Sequence, residues 1–256
     1  MKRIFLCLLT AIFLSLAVFS ASAAGASWYC PKSVGGKQPK TPADLAEALS
    51  HGAYYLDMRR GDDAAERVVY LTFDAGYENG NVARVLDVLA EKQVPAAFFV
   101  LKHFAVANAD LICRMARDGH LICNHTASHK NLSGASRTEI EAELTALAAA
   151  VEEAGGSCSS YFRPPAGAYS LEMLDHVASL GYRTVFWSVA YADWDNQRQP
   201  SPKKALDLLR ARMHNGAVVL LHPTSATNAE ILSVLIDSLR AEGYRFASLD
   251  ELCIAR

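Results

Sequence analysis

Val68-Val69-Tyr70-Leu71-Thr72-Phe73-Asp74-Ala75-Gly76 is an apolar run that stops on a carboxylate and a tight turn. A short run of this kind, bounded by turn residues, reads as a strand buried on both faces, with Asp74 meeting solvent where the strand ends. The same pattern returns at Ala96–Leu101, His120–Cys123, Tyr161–Arg163, Arg183–Ser188, Ala217–Leu221 and Tyr244–Ala247, with helical patterns between the runs. Ser136-Arg137-Thr138-Glu139 has the form of a capping box. Ser201-Pro202 is a helix start at which proline's missing N–H costs nothing. Strands alternating with helices argue for a parallel sheet with crossover helices. Seven such units predict an α/β fold, a distorted (β/α)7-type barrel in a single domain.

Outside that repeat, Lys2-Arg3, the apolar stretch Ile4 to Phe19 and Ala21-Ser22-Ala23 form the three parts of a secretory signal peptide, residues 1–23. The stretch is short for a spanning helix, so the chain is expected to be exported and to keep no membrane span after cleavage. Residues 24–67 are a lead with a helical pattern from Thr41 to Ser50 and no clear core of their own, expected to wrap the barrel. Residues 68–256 are the expected catalytic domain. With 25 Lys and Arg against 27 Asp and Glu the net charge is −2, and no basic run occurs, which points towards neither a polyanion binder nor a disordered tail and leaves nucleic acid out as an expected partner. Of the six cysteines, Cys7 leaves with the signal. Cys113 and Cys123 fall in apolar patterns and read as buried hydrophobes, and Cys30 with Cys253 is the first candidate disulfide. The absence of Cys-x-x-Cys excludes a thiolate zinc site of that kind.

Five polar clusters stand at or just past the strand ends, where barrels of this type carry their chemistry: Thr72–Gly76, Asn124–His129, Arg163–Gly167, Ala192–Trp194 and Leu220–His222. Each has an ordinary reading alone. Asp74 is then a turn former, His125 and His129 a chance pair among eight histidines, Arg163 a rim salt bridge and His222 a satisfied core imidazole. All five in this order on one βα repeat read as an active site. The spacing of His125 and His129 turns both imidazoles to one side, as a metal needs. Arg163 is always charged and can hold a catalytic carboxylate ionised, while Pro164-Pro165 leaves the N–H groups of Ala166 and Gly167 free to meet an oxyanion. His222 can serve as general acid where a carboxylate such as Asp193, in the loop Val189–Pro200, keeps it protonated.

From Val68 to Leu252 the chain resembles the polysaccharide deacetylases of carbohydrate esterase family four, the nodulation-protein type. Within them it is most similar to the δ-lactam-biosynthetic branch that deacetylates N-acetylmuramic acid in spore cortex peptidoglycan. The resemblance rests on Tyr70–Asp74 with Gly76-Tyr77-Glu78-Asn79-Gly80, Phe186-Trp187-Ser188-Val189-Ala190, Asp193-Trp194, and Leu220-Leu221-His222 with Asn228-Ala229-Glu230. It implies Asp74 as general base on water, His222 as general acid, Arg163 orienting Asp74 and Asp193 tuning His222. It further implies Tyr77, Pro165, Ala166, Gly167 and Trp194 as substrate contacts, a peptidoglycan glycan strand as partner, and His125 and His129 as ligands of a divalent metal, zinc first. Two departures accompany it. Ala75 stands where the family usually has a carboxylate ligand, which weakens the metal site and leaves a group such as Glu78 to complete it. Ala166 stands where relatives carry a larger or basic residue, so a lactyl carboxylate loses a contact that Lys130 or Lys102 would have to supply. The alternative readings are a general N-acetylglucosamine deacetylase on peptidoglycan or chitin-like chains, and an inactive glycan-binding homologue. Asn124 and Asn131 begin glycosylation sequons. A glycan on Asn124 would block the site, which favours a bacterial source and an extracytoplasmic, cell-wall location. Arg60-Gly61-Asp62 reads as a solvated loop.

Overall fold

The computed structural model describes residues 25–252. The expected signal peptide at 1–23, Cys7 and Cys253 lie outside the described residues. In chain order the elements begin with β1 (Ala26–Ser27), α1 (Ala43–Ser50), β2 (Arg67–Ala75), α2 (Asn81–Lys92), β3 (Ala96–Val100), α3 (Lys102–Ala107) and α4 (Ala109–Arg117). There follow β4 (Leu121–Asn124), α5 (Arg137–Glu153), β5 (Cys158–Phe162), β6 (Ala168–Tyr169), α6 (Leu171–Ser179) and β7 (Arg183–Thr184). The chain continues through α7 (Pro202–Arg212), β8 (Ala217–Leu221), α8 (Ala226–Ala241), β9 (Tyr244–Phe246) and α9 (Leu249–Leu252). Both expected helix starts are formed: Ser136 and Glu139 make a reciprocal capping box on α5, and Ser201 caps α7 ahead of Pro202.

Seven strands make one parallel sheet in the order β7-β5-β4-β3-β2-β8, with β9 pairing the start of β2. The sheet curls into a half-barrel, and the whole is a single α/β domain. Period-two alternation along β2 divides its side chains. Val69, Leu71, Phe73 and Ala75 join the layer under the helices, where Phe73 stacks on Phe98 with centroids 5.0 Å apart. Val68 and Tyr70 join Ala97, Phe99, Cys123 and Val218 in a second cluster inside the barrel. The ladder pairs Thr72 with Ala97 and Leu220, and Asp74 with Phe99, so the polar residues of β2 sit on top of that apolar interior.

The run at 183–188 is shorter as a strand than its sequence suggests, for a topological reason. Beyond Thr184 the chain leaves its neighbour β5: Val185 bridges Tyr54 of the lead, and Val189 bridges Val219 of β8. Phe186 N donates to Tyr54 O at 2.7 Å and Tyr54 N to Thr184 O at 2.9 Å. Two residues on, Leu56 bridges Ala217, and Asp57 N donates to Gly216 O at 2.8 Å. Residues 54–57 therefore fill the seam that the seven strands leave between β7 and β8. Gly216 permits this closure. Its φ is +73°, and a Cβ there would lie 2.6 Å from Asp57 O. The lead is also anchored by Trp28, Leu45 and Tyr55, which share a buried cluster with Phe162 and Phe186. Each fully buried side chain of Leu45's kind contributes about 1.5–3 kcal/mol.

Cys30 is a free thiol whose Sγ donates to Ser188 O at 3.0 Å, and its expected partner Cys253 lies outside the described residues. Cys113 is exposed rather than buried and donates to Ala154 O at 3.0 Å, whereas Cys123 is buried as expected. Asn124 is buried and donates from Nδ2 to Leu144 O, which removes it as a glycan acceptor. Arg60 is drawn into ion pairs with Asp57 and Glu66.

Candidate active site

Asp74 reaches the top of the barrel because it has the interior parity of Tyr70 and Thr72 on β2. Its Oδ1 accepts from Arg163 Nη1 at 2.7 Å. Arg163, just past β5, is wholly buried and spends its remaining donors across the barrel: Nε on Val185 O (2.9 Å), Nη2 on Thr72 Oγ1 (2.9 Å) and Phe186 O (3.2 Å). Its guanidinium lies 4.1 Å above the Phe99 ring centroid. It is thus a buried staple joining β2, β5 and the chain after β7, more than a salt bridge at the rim. Burial pushes the Asp74 carboxyl up, but Arg163, with His125 and His222, outweighs it and holds the group below the usual carboxylate range.

His125 follows β4. Its Nδ1 is 2.8 Å from Arg163 O, a contact that requires a proton on Nδ1. Burial pushes this imidazole down to about 4, so it is neutral and Nε2 carries a lone pair. That lone pair faces Asp74 Oδ2 at 3.6 Å, two acceptors across a gap. Opposite them stands His222, at the end of β8, whose Nδ1 lies 2.8 Å from Asp193 Oδ1. Asp193 is 1% exposed, and its other oxygen accepts from His222 N at 2.8 Å and Asn228 Nδ2 at 2.6 Å. Burial pushes His222 down, yet the Asp193 carboxylate more than reverses this, with Asp74 adding to it, and the imidazole is raised above its ordinary value.

These groups open on a cleft of about 450 Å³. Of the residues expected from sequence, it brings together Asp74, His125, His129, Ala166, Gly167, Trp194 and His222. Arg163 and Asp193 stand behind that wall. Pro165 is buried, and Tyr77 sits outside the lining, half exposed, its hydroxyl accepting from Asn196 Nδ2. Trp187, Ala190 and Leu220, which stand in stretches that carried the resemblance but were given no role there, also line the cleft, as does Tyr191, which nothing in the sequence marked. The oxyanion expectation is corrected at one of its two positions. Gly167 N is not free, since it donates to Pro164 O at 3.0 Å across a single helical turn. Ala166, at φ +53° on that turn and lining the cleft, has no acceptor for its N–H among the described residues.

Residues 61–185 match the polysaccharide deacetylase family. The chain belongs to that family, whose members hydrolyse the N-acetyl amides of carbohydrates. It is 39% identical over 228 residues to the peptidoglycan-N-acetylmuramic acid deacetylase PdaA of Bacillus subtilis (strain 168), covering 88% of this chain and 85% of that one. The solved structure of B. subtilis PdaA, a family 4 carbohydrate esterase, matches with a TM-score of 0.83 at 38% identity, over 90% of this chain and 97% of that one. A chitooligosaccharide deacetylase of Rhizobium leguminosarum bv. trifolii is 32% identical over 200 residues, covering 73% of this chain and 92% of that one.

Deacetylases of this family generally depend on a metal. Two features here suit one: His125 is held through Nδ1 by a carbonyl with Nε2 turned into the cleft, and the His129 ring is centred 5.1 Å away. The rest of the donor set is missing. Ala75 is buried under the helices with Phe73, and Glu78 is committed to the start of α2, accepting from Gly80 N and Val82 N. Among the described residues no three His, Cys, Asp or Glu side chains come together as metal ligands. The residues present do not make a complete zinc site of three protein ligands, and the chemistry below is derived without one. The cations suggested in place of a basic residue at 166 are likewise displaced. Lys130 Nζ bonds Glu139 at 2.8 Å, and neither Lys130 nor Lys102 lines the cleft.

Proposed function

We propose that this chain is an exported deacetylase that hydrolyses the acetamide of N-acetylmuramic acid in peptidoglycan, leaving an amine able to close the muramic δ-lactam of spore cortex. The observation that carries the reading is the opposition of Asp74, held ionised by Arg163, and His222, held protonated by Asp193, across one cleft. A water between Asp74 Oδ2 and His125 Nε2 would satisfy two acceptors at once. Asp74 removes its proton as its oxygen attacks the acetamide carbon. The carbonyl oxygen becomes an oxyanion, and the unpaired N–H of Ala166 is the donor available to it. His222 then gives its Nε2 proton to the nitrogen, the C–N bond breaks, and amine and acetate leave. Trp194, 64% exposed beside His222, offers an aromatic face to the glycan, and Tyr77 extends the rim.

The muramic substrate is supported by the likeness to PdaA over most of both chains. A second reading, N-acetylglucosamine as substrate, is favoured by the cleft lining itself, which holds imidazoles but no ammonium or guanidinium to meet a lactyl carboxylate. The experiment that separates them is acetate release by the mature chain from two glycans, one of muramic strands without stem peptides and one of N-acetylglucosamine alone. Release from the muramic strands alone supports the proposal. Release from the glucosamine chain alone supports the second reading. Glycan binding with no release points to an inactive homologue.

A further inference from the structure

Behind the His222–Asp193 pair lies a closed ring of polar side chains that the reaction, as derived above, does not use. Asn228, in the first turn of α8 and 1% exposed, donates from Nδ2 to Asp193 Oδ2 at 2.6 Å and to His222 O at 3.0 Å. Its Oδ1 accepts from the Tyr191 hydroxyl. Every polar atom of the amide is therefore used, and only one orientation fits. A flipped amide would set its oxygen against a carboxylate and a carbonyl. The backbone below is pinned as well: Asn228 N donates to Ser225 Oγ at 3.0 Å, Ser225 Oγ donates to Gln199 Oε1, and Gln199 Nε2 donates to Asp193 O at 2.9 Å.

We propose that Asn228, oriented by Tyr191, is a positioning residue that locks the Asp193 carboxylate in the plane where Oδ1 meets the His222 imidazole. Without Asn228, Asp193 Oδ2 keeps one donor, the His222 backbone N–H, and the carboxylate can swing about that single bond. Tyr191 also lines the cleft, so its ring is the one surface through which a bound sugar touches this ring of side chains. The inference rests on the proposed roles of His222 and Asp193, and it adds two residues to them.

The test is an NMR titration of the His222 imidazole in the full mature chain, which needs no substrate and so stands apart from the choice of glycan. His222 is faced by Asp193 from the loop before α7, Asp74 from β2, Arg163 from beyond β5 and His129 from beyond β4, and all four remain in each variant except Asp193→Asn. Asn228→Leu keeps the volume and removes the donors. Tyr191→Phe removes one hydroxyl and guards against a fold lost in the first variant. His222 is expected to titrate at lower pH in Asn228→Leu, and to move in the same direction by less in Tyr191→Phe. In turnover, kcat above neutral pH falls in both while KM is held. An unchanged titration in both variants overturns the proposal, as does a loss of activity with the alkaline limb unmoved. Asp193→Asn separates the two levels. Where that variant lowers the titration and the other two do not, the positioning role alone fails; where it does not, the Asp193–His222 reading fails with it.

Discussion

Replacing Arg163 with Met strands Asp74 in the top of the barrel without its guanidinium. The pair is short, 2.7 Å, and buried on both sides, with Arg163 at 0% and the Asp74 side chain at 10% exposure. Removing one partner of such a pair costs about 3–5 kcal/mol, because the remaining charge keeps its desolvation penalty. At ~2–4 °C per kcal/mol for a domain of this size, the melting temperature should fall by roughly 6–20 °C. Asp74→Asn in the same background removes the stranded charge, so the double variant recovers part of the loss. It does not recover all of it, since the carbonyls of Val185 and Phe186 and the hydroxyl of Thr72 still lack their donor. The coupling in this cycle should be roughly 0.5–3 kcal/mol in magnitude, the double variant losing less than the sum of the two single ones. Denaturant unfolding of the four proteins measures it without any glycan. Additivity within about 0.5 kcal/mol would refute the claim that Arg163 is what keeps Asp74 ionised.

The pH profile should be a bell whose limbs lie outside the ordinary values. Asp74, lowered, stays a base until pH falls below the usual carboxylate range, and His222, raised, keeps its proton until pH rises past the usual imidazole value. Acetate release followed against pH checks both, and an alkaline limb below the ordinary imidazole value would contradict the role of Asp193. Gly216→Ala forces a left-handed φ on a residue with a Cβ and drives that Cβ into Asp57 O, so stability should drop by more than about 1 kcal/mol, read by denaturant unfolding. Trp194→Ala should raise KM for a polymeric glycan and leave stability within about 0.5 kcal/mol, because the ring is mostly in solvent.

Much of this architecture is readable along the chain because a parallel strand buried on both faces leaves an unbroken apolar run. Ala217–Leu221 is such a run, and the strand has those same bounds. The functional clusters are readable for the related reason that the runs stop abruptly on Asp74, Asn124 before His125, and Leu221 before His222. What escaped has no periodic trace. Tyr54 and Leu56 close the barrel through single bridges, which ask nothing of their neighbours in sequence. Tyr191 and Asn228 stand 37 positions apart, in a loop and at a helix start, and only folding brings the Tyr191 hydroxyl onto the amide that holds Asp193. Ser225 caps α8 three residues before Asn228, and that cap fixes the backbone there but says nothing of the amide's target. Gly167 was expected to offer a free N–H because two prolines precede it. The turn they induce instead hands that N–H to Pro164 O.

The most direct measurement is acetate release from stem-free muramic glycan by the mature chain and its Asp74→Asn variant, each with and without chelator at the plateau of the pH profile. With Asp74 as the base and an incomplete metal set, the variant should lose about 10²–10⁴ in kcat while the wild-type rate survives chelation. Equal release by the two proteins would contradict the account, and so would a wild-type rate abolished by chelator and restored by zinc.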